Sequence, residues 1–161
     1  MKKIVFYTLA ALALTACGSR KCDKGGDCAQ TAKTDGDMYY EGVLPAADAA
    51  GIRYSLVIDY DDDNPAKGDY ELTQTYLKDD GSPISSFYSE GDFDVKTGTP
   101  ANSAARYLVM VPEVEDGAAP ADTMYFLAET DSTLTLVGED LSKSVNPGLN
   151  YTITRVTSLS R

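Results

Sequence analysis

The chain has 161 residues, with 14 basic and 25 acidic side chains, a net charge of −11, three cysteines, and neither histidine nor tryptophan. The charge argues against nucleic-acid binding, because neutralising phosphates requires clustered Lys and Arg. The lack of histidine removes the commonest general base and most zinc or copper sites. The length suits one ordinary domain, and a hydrophobic fraction of 43% with 11 tyrosines can form a core.

The first residues have the features of an export signal. Lys2 and Lys3 precede an apolar run over residues 4–13, and Leu-Thr-Ala-Cys follows, ending at Cys17. The run is too short to span a bilayer, which needs about 20 residues. The Leu-Thr-Ala-Cys sequence resembles a bacterial lipobox, which implies cleavage before Cys17 and acylation of its thiol and amine. We therefore expect a lipoprotein signal peptide over residues 1–16 and a lipid anchor on Cys17. An ordinary secretory signal is the alternative.

Residues 17–37 are predicted to be a flexible tether. Small and polar residues dominate there, and large apolar side chains are almost lacking, so the segment cannot offset its ordering entropy. Cys22 and Cys28 lie in this tether. In an oxidising compartment a short disulfide between them is feasible. Free thiols and a weak Cu(I) site are the alternatives.

A period-two pattern of apolar residues predicts strands through the rest of the chain. Ile52, Tyr54, Leu56 and Ile58 share one face, for example, and Arg53 lies on the other. About eight strands follow, over residues 38–44, 52–60, 70–76, 87–95, 107–111, 124–128, 133–137 and 149–156, with turn-rich pieces such as 61–68 between them. Gly91 suggests a bulge or bend. We expect an all-β domain over residues 38–157, a small antiparallel meander that closes into a barrel because closure removes exposed edges.

Residues 40–52 read Tyr-Glu-Gly-Val-Leu-Pro-Ala-Ala-Asp-Ala-Ala-Gly-Ile and resemble the opening motif of the NlpE family. These are envelope lipoproteins often labelled copper resistance or homeostasis proteins, with the motif form Y-x-G-x-L-P-C-A-D-C-x-G-I. The chain keeps Tyr40, Gly42, Leu44, Pro45, Ala47, Asp48, Gly51 and Ile52. The two family cysteines correspond to Ala46 and Ala49. A weaker resemblance extends over residues 38–156 and implies a lipocalin-like β-barrel.

The motif also has a physical interpretation of its own. Pro45 restricts Leu44 to an extended backbone, and Gly51 permits an unusual turn conformation. Asp48 can accept hydrogen bonds from nearby backbone amides and fix a tight loop. A shaped loop between the first two strands is therefore favoured over a metal site. Alanine supplies no ligand, so we expect no metal at Ala46 and Ala49.

Other candidate chemistry is weaker. Asp59 and the run Asp61-Asp62-Asp63 suggest calcium, but the EF-hand template requires Gly at Asn64 and Glu at Tyr70. A solvated hairpin tip is the better interpretation. Ser and Lys residues occur without a spacing that supports a catalytic dyad. We therefore expect neither enzymatic activity nor a cofactor.

The expected function is that of a non-enzymatic, NlpE-like envelope lipoprotein in envelope homeostasis or stress signalling, with periplasmic protein partners. The chief alternative is a lipocalin-like carrier of a small apolar ligand, whose cavity Tyr39, Tyr40 and the inward tyrosines would line. A barrel of this size is usually filled by its own side chains. A third hypothesis is that the protein buffers copper through Cys22 and Cys28. Gly18, rather than Asp, follows Cys17, which favours the outer membrane.

Overall fold

The computed structural model describes residues 36–114, 122–146 and 148–160. All of them belong to one compact unit, Lys33–Arg161. Every regular element among them is a β-strand, as the alternating sequence predicts. The strands are β1 (Met38–Leu44), β2 (Gly51–Asp61), β3 (Asn64–Leu77), β4 (Pro83–Thr97), β5 (Arg106–Pro112), β6 (Met124–Thr130), β7 (Thr133–Val137) and β8 (Thr152–Val156).

The strands form a closed antiparallel barrel in chain order, which confirms the predicted fold. Each strand pairs with its sequence neighbours, and β1 closes the barrel by pairing with β8 at three positions, from Tyr39↔Val156 to Glu41↔Thr154. Closure removes the two sheet edges that an open meander would expose. We call the end at which β1 begins the base, and the opposite end, which carries the loop over residues 45–50, the top.

The barrel interior is formed by the alternate residues of each strand. On β2, the predicted inward face is correct: Tyr54, Leu56 and Ile58 are buried, and Ile52 and Tyr60 pack against them. The other strands contribute the rest of the same core, namely Tyr40, Leu44, Tyr70, Leu72, Phe93, Leu108, Met110, Phe126, Leu134 and Ile153. Burial of this apolar surface is the main favourable term in the folding free energy.

Several strand boundaries differ from the prediction, and the starts of β3, β4 and β8 differ most; β4 begins at Pro83 rather than at residue 87. Residues 61–68 were expected to be a turn, but Asp61 already pairs with Asn64, so only two residues turn and β3 begins at Asn64. Pro65 fits there because it lies in the exposed first part of the strand, where its lack of an N–H is tolerated. The last strand begins at Thr152 rather than at residue 149. Before it, the Asn150 side-chain amide donates to the Thr152 carbonyl oxygen and accepts a hydrogen bond from the Thr152 N–H, which forms a local turn.

Close backbone approach explains two glycines in the barrel wall. A Cβ on Gly68 would lie 2.0 Å from the Asp59 carbonyl oxygen and 2.8 Å from the Phe93 ring. A Cβ on Gly91 would lie 2.2 Å from the Val111 carbonyl oxygen. The Glu113 N–H donates to the Glu90 carbonyl at 2.8 Å beside this point. The strand pairing runs through Gly91 without a register shift, so the bulge suggested there is not found, and the close contact with β5 accounts for the glycine instead.

Candidate functional site

The three cysteines predicted as functional lie outside the described residues. These are Cys17, the predicted lipidation site, and the tether pair Cys22 and Cys28. The motif over residues 40–52 is described in full. It runs up β1, forms the loop at the top of the barrel and enters β2.

The first half of the motif closes the barrel. The Tyr40 side chain is buried in the core, and its hydroxyl donates to the Asp131 carbonyl at 3.4 Å and contacts the Met38 sulfur at 3.9 Å. Gly42 lies against β8, where a Cβ would come within 3.0 Å of Ile153. Tyr39 points outward instead, with its hydroxyl on Asp37 at 3.1 Å. Tyr40 therefore fills the interior and Tyr39 does not line it.

The second half of the motif shapes the top loop. Leu44 is buried and, as predicted from Pro45, extended at the end of β1. The loop is tied to the neighbouring hairpin by Ala50, whose N–H donates to the Leu77 carbonyl at 3.0 Å. The motif is thus a structural loop that joins β1, β2 and β3.

Two expectations for this loop are wrong. Gly51 does not adopt a positive φ; a Cβ there would lie 2.6 Å from the Val43 side chain and 3.2 Å from the Leu44 carbonyl oxygen, so the Val43 side chain would have to move. Asp48 is exposed and makes no hydrogen bond within the described part of the chain, so it does not fix the loop through backbone amides. The Ala50–Leu77 bond supplies that constraint instead.

The positions of the family cysteines hold Ala46 and Ala49, both half-buried in this loop. A methyl group has no lone pair to offer a metal. Among the described residues, no group of three or more carboxylate or cysteine side chains is arranged to hold a metal ion. The donor set of this loop therefore does not fit the copper role that the family label suggests.

The interior contains tyrosines in different environments. Burial raises the pKa of Tyr54, and Gln74 partly offsets this by donating to its hydroxyl at 2.8 Å. Burial raises the pKa of Tyr70 to about 12. Ser89 acts to lower that pKa, but the Tyr70 oxygen has no partner with hydrogen-bond geometry in the described residues. Tyr70 is therefore a buried hydroxyl that is left unsatisfied.

Acidic residues form a row on the outer wall near the base. Asp69 lies opposite Asp59 on β2 and opposite Asp92 on β4. Desolvation, then a hydrogen bond with Asp92 and the charges of its acidic neighbours, raise the pKa of Asp69. A shallow cavity of about 390 Å³ adjoins this row. The hairpin tip over residues 61–63 is exposed, as the sequence predicts.

A second surface groove, of about 660 Å³, lies between the loop over residues 99–105 and the loop that follows β7. The latter folds back over the outside of β6, where Lys143 forms an ion pair with Glu129. Leu141 in this loop has a φ of 59°. The groove is open to solvent and lies outside the core.

Two features were not singled out from the sequence. Ser160 lies next to β1, where its N–H donates to the Glu41 carboxylate at 2.8 Å and its hydroxyl donates to the same carboxylate. Nothing in the local sequence pattern links these distant residues. The other feature is the exposure of Phe87, a residue predicted only as part of the fourth strand; its ring packs edge-on against Tyr76 with ring centroids 5.7 Å apart. The sequence did contain a signal for this exposure. Ile84, Phe87 and Tyr88 do not follow the period-two alternation, so they cannot all face the core.

The described residues include no helix long and apolar enough to cross a membrane. Attachment instead involves the N-terminus, because residues 1–17 match the prokaryotic membrane lipoprotein lipid attachment site. The match ends at Cys17, the cysteine that the lipobox singles out. Together with the barrel, this defines a lipid-anchored β-barrel protein of the cell envelope.

Residues 40–145 match the NlpE N-terminal domain, and the chain belongs to the NlpE family. The matched region begins at Tyr40 and covers β1 to β7. The resemblance drawn from the opening motif is therefore confirmed. No curated protein and no solved structure matches the chain.

Proposed function

We propose that this chain is a non-enzymatic lipoprotein of the outer membrane that acts in envelope homeostasis or stress signalling through contacts with other proteins. Two matches carry this proposal. Residues 1–17 match the lipid attachment site of prokaryotic membrane lipoproteins, and residues 40–145 match the NlpE N-terminal domain. Signalling would depend on where the barrel is held, so that failed lipidation or folding changes which proteins it contacts.

The motif loop does not support metal handling. Ala46 and Ala49 leave the loop without thiolates, while its backbone is fixed to β3 through Ala50 and Leu77. Copper buffering would then depend on Cys22 and Cys28. A Cu(I) competition titration against a chromogenic chelator, with a Cys22→Ser/Cys28→Ser variant beside the wild type, tests that role. We expect no competition from either protein, and tight binding lost in the variant would restore the copper role.

The packed interior does not favour the carrier alternative. Tyr40, Tyr54 and Tyr70 fill the space between the strands with the aliphatic core, and the surface grooves described above are open to solvent. An apolar ligand would have to displace these side chains. A fluorescent fatty-acid titration is expected to show no saturable binding.

The signalling role is tested in cells of the source bacterium. Raising production of the full lipoprotein should induce an envelope-stress transcriptional reporter without added copper. The Cys17→Ser variant should reach the envelope without its lipid anchor. Its level of reporter induction should differ from that of the wild type. An unchanged reporter at high levels of membrane-bound wild-type protein would overturn the signalling proposal.

A further inference from the structure

Two arginines lie at the inner rim of the base. Because the strands alternate in direction, β5 begins and β8 ends at this end of the barrel. Arg106 is the first residue of β5, two positions before the buried Leu108. Arg155 lies in β8, two positions after the buried Ile153 and directly opposite the buried Tyr40. Alternate residues of a strand share a face, as do directly opposed residues of paired strands, so both arginines occupy inward positions.

Both cations lie close to the hydroxyl of Tyr60. Tyr60 occupies the inward face near the end of β2, and its ring packs edge-on against Phe93 with ring centroids 5.1 Å apart. Burial raises the pKa of Tyr60, and the positive charges of Arg106 and Arg155 act to lower it. Coulomb interactions weaken with distance, so the two guanidinium groups lie near this hydroxyl although their strands are separated by β6 and β7.

These three donor groups have no partner in the described part of the chain. The Tyr60 hydroxyl makes no hydrogen bond there, and the side chains of Arg106 and Arg155 form neither hydrogen bonds nor ion pairs. Both arginines are exposed, and Arg106 also lines the open groove of about 660 Å³. Two cations that approach the same hydroxyl repel each other, and a bound anion would remove that repulsion.

Asp131 is an acidic neighbour of this rim. It lies in the turn between β6 and β7, where its carbonyl oxygen accepts the Tyr40 hydroxyl at 3.4 Å, and its charge raises the pKa of Tyr40. Within residues 36–114, 122–146 and 148–160 it forms no ion pair with either Arg106 or Arg155. Asp131 therefore weakens the positive potential at the rim but leaves the two guanidinium groups available.

The donor set suits a phosphate group better than a carboxylate. Guanidinium groups bind planar pairs of oxygens, and here two of them and a phenol approach from β2, β5 and β8. Inorganic phosphate or a phosphate monoester offers at least three acceptor oxygens, whereas a carboxylate offers two in one plane. We infer that the base of the barrel binds a phosphate group through Arg106, Arg155 and Tyr60. The inference does not depend on the proposed signalling role.

The test is a calorimetric titration of the full lipoprotein, in micelles of an uncharged detergent, with inorganic phosphate at constant ionic strength. We expect saturable binding that Arg106→Gln and Arg155→Gln each weaken about tenfold and that Tyr60→Phe weakens less. Arg53→Gln is the matched control, because it removes the same charge from the outward face of β2 and should leave the affinity unchanged. Asp131→Asn should strengthen binding about twofold.

Equal unfolding temperatures confirm that the variants fold, and Arg155→Lys, which keeps the charge but not the planar fork, replaces any Arg155→Gln protein that does not fold. The absence of phosphate binding, equal weakening by Arg53→Gln, or an equal affinity for acetate would overturn the inference.

A second titration identifies the source of the phosphate group. It uses dihexanoyl phosphatidic acid, a soluble lipid with a phosphate monoester, and dihexanoyl phosphatidylcholine as its control. Tighter binding of the phosphatidic acid than of inorganic phosphate would support the inference with a lipid headgroup as the ligand, and weaker or equal binding would support it with free phosphate. Binding of both lipids that ignores Arg106→Gln would indicate contact with the acyl chains and overturn the inference.

Discussion

The unsatisfied hydroxyl of Tyr70 gives a prediction whose sign is unusual for a core substitution. Tyr70 is 2% exposed, and its oxygen has no hydrogen-bond partner among the described residues. A buried polar group without a partner costs about 1–3 kcal/mol. We therefore expect Tyr70→Phe to stabilise the protein by about 1 kcal/mol, at the lower end of that range.

The matched control is another buried tyrosine with a satisfied hydroxyl. The Tyr54 oxygen accepts a hydrogen bond from Gln74 at 2.8 Å, so Tyr54→Phe should destabilise by about 1 kcal/mol. Both changes remove one oxygen from an inward-facing ring. Urea and thermal unfolding of the chain from residue 18 onward, followed by circular dichroism, would measure both. The expected shifts are about 4 °C upward for Tyr70→Phe and about 4 °C downward for Tyr54→Phe.

The pH dependence supplies a further check on Tyr70. Because its folded pKa is raised to about 12, its contribution to stability is present below the unfolded pKa of about 10 and is lost as the pH rises toward the folded value. In the Tyr70→Phe variant, the free energy of unfolding should therefore decrease less steeply as the pH rises from the unfolded pKa to the folded pKa of Tyr70. A Tyr70→Phe protein that is as destabilised as Tyr54→Phe would refute the reasoning, since it would mean that the Tyr70 hydroxyl is satisfied.

Further predictions concern the barrel wall and its closure. Gly68→Ala should destabilise by about 3 kcal/mol or more in urea unfolding, because its Cβ would meet a backbone carbonyl at 2.0 Å; a neutral effect would mean that the strands move apart easily. Glu41→Ala should cost about 1 kcal/mol and increase hydrogen exchange in β1 and β8, because it releases Ser160; unchanged exchange there would contradict a closing role. Asp69→Asn should stabilise by a few tenths of a kcal/mol at neutral pH, because Asp69 is largely exposed and its raised pKa favours the protonated form beside Asp92. That gain should vanish below the ordinary aspartate pKa of about 4, and its persistence there would refute the electrostatic cause.

Much of the barrel could be predicted because period-two burial is a local signal. The alternation from Ile52 to Tyr60 places one face in the core whichever strand lies beside it. The position of β3 was less predictable. The composition of residues 61–68, with several Asp, an Asn and a Pro, is typical of a long turn. In the structure Asp61 pairs with Asn64, so the turn contains only two residues. Pairing across the sheet thus overrides local propensity at this point.

The candidate site was only partly predictable from the sequence. The motif marks a loop between β1 and β2, but its constraint comes from Leu77, which is far away in the chain. The role of Gly51 likewise depends on the Val43 side chain across the ladder rather than on its own dihedral angles. The exposure of Phe87 depends on where β5 ends relative to β4, a property of strand register. Such long-range contacts leave little trace in the sequence near each residue.

The central claim is that this barrel acts from a lipid anchor on Cys17. The most direct measurement is mass spectrometry of the N-terminal peptide from protein purified out of the envelope, with palmitate labelling of the intact chain. We predict a mature N-terminus at Cys17 that carries diacylglycerol on its thiol and an acyl group on its amine, and loss of the label in Cys17→Ser. An unacylated Cys17, or a mature chain that begins at another residue, would contradict the account.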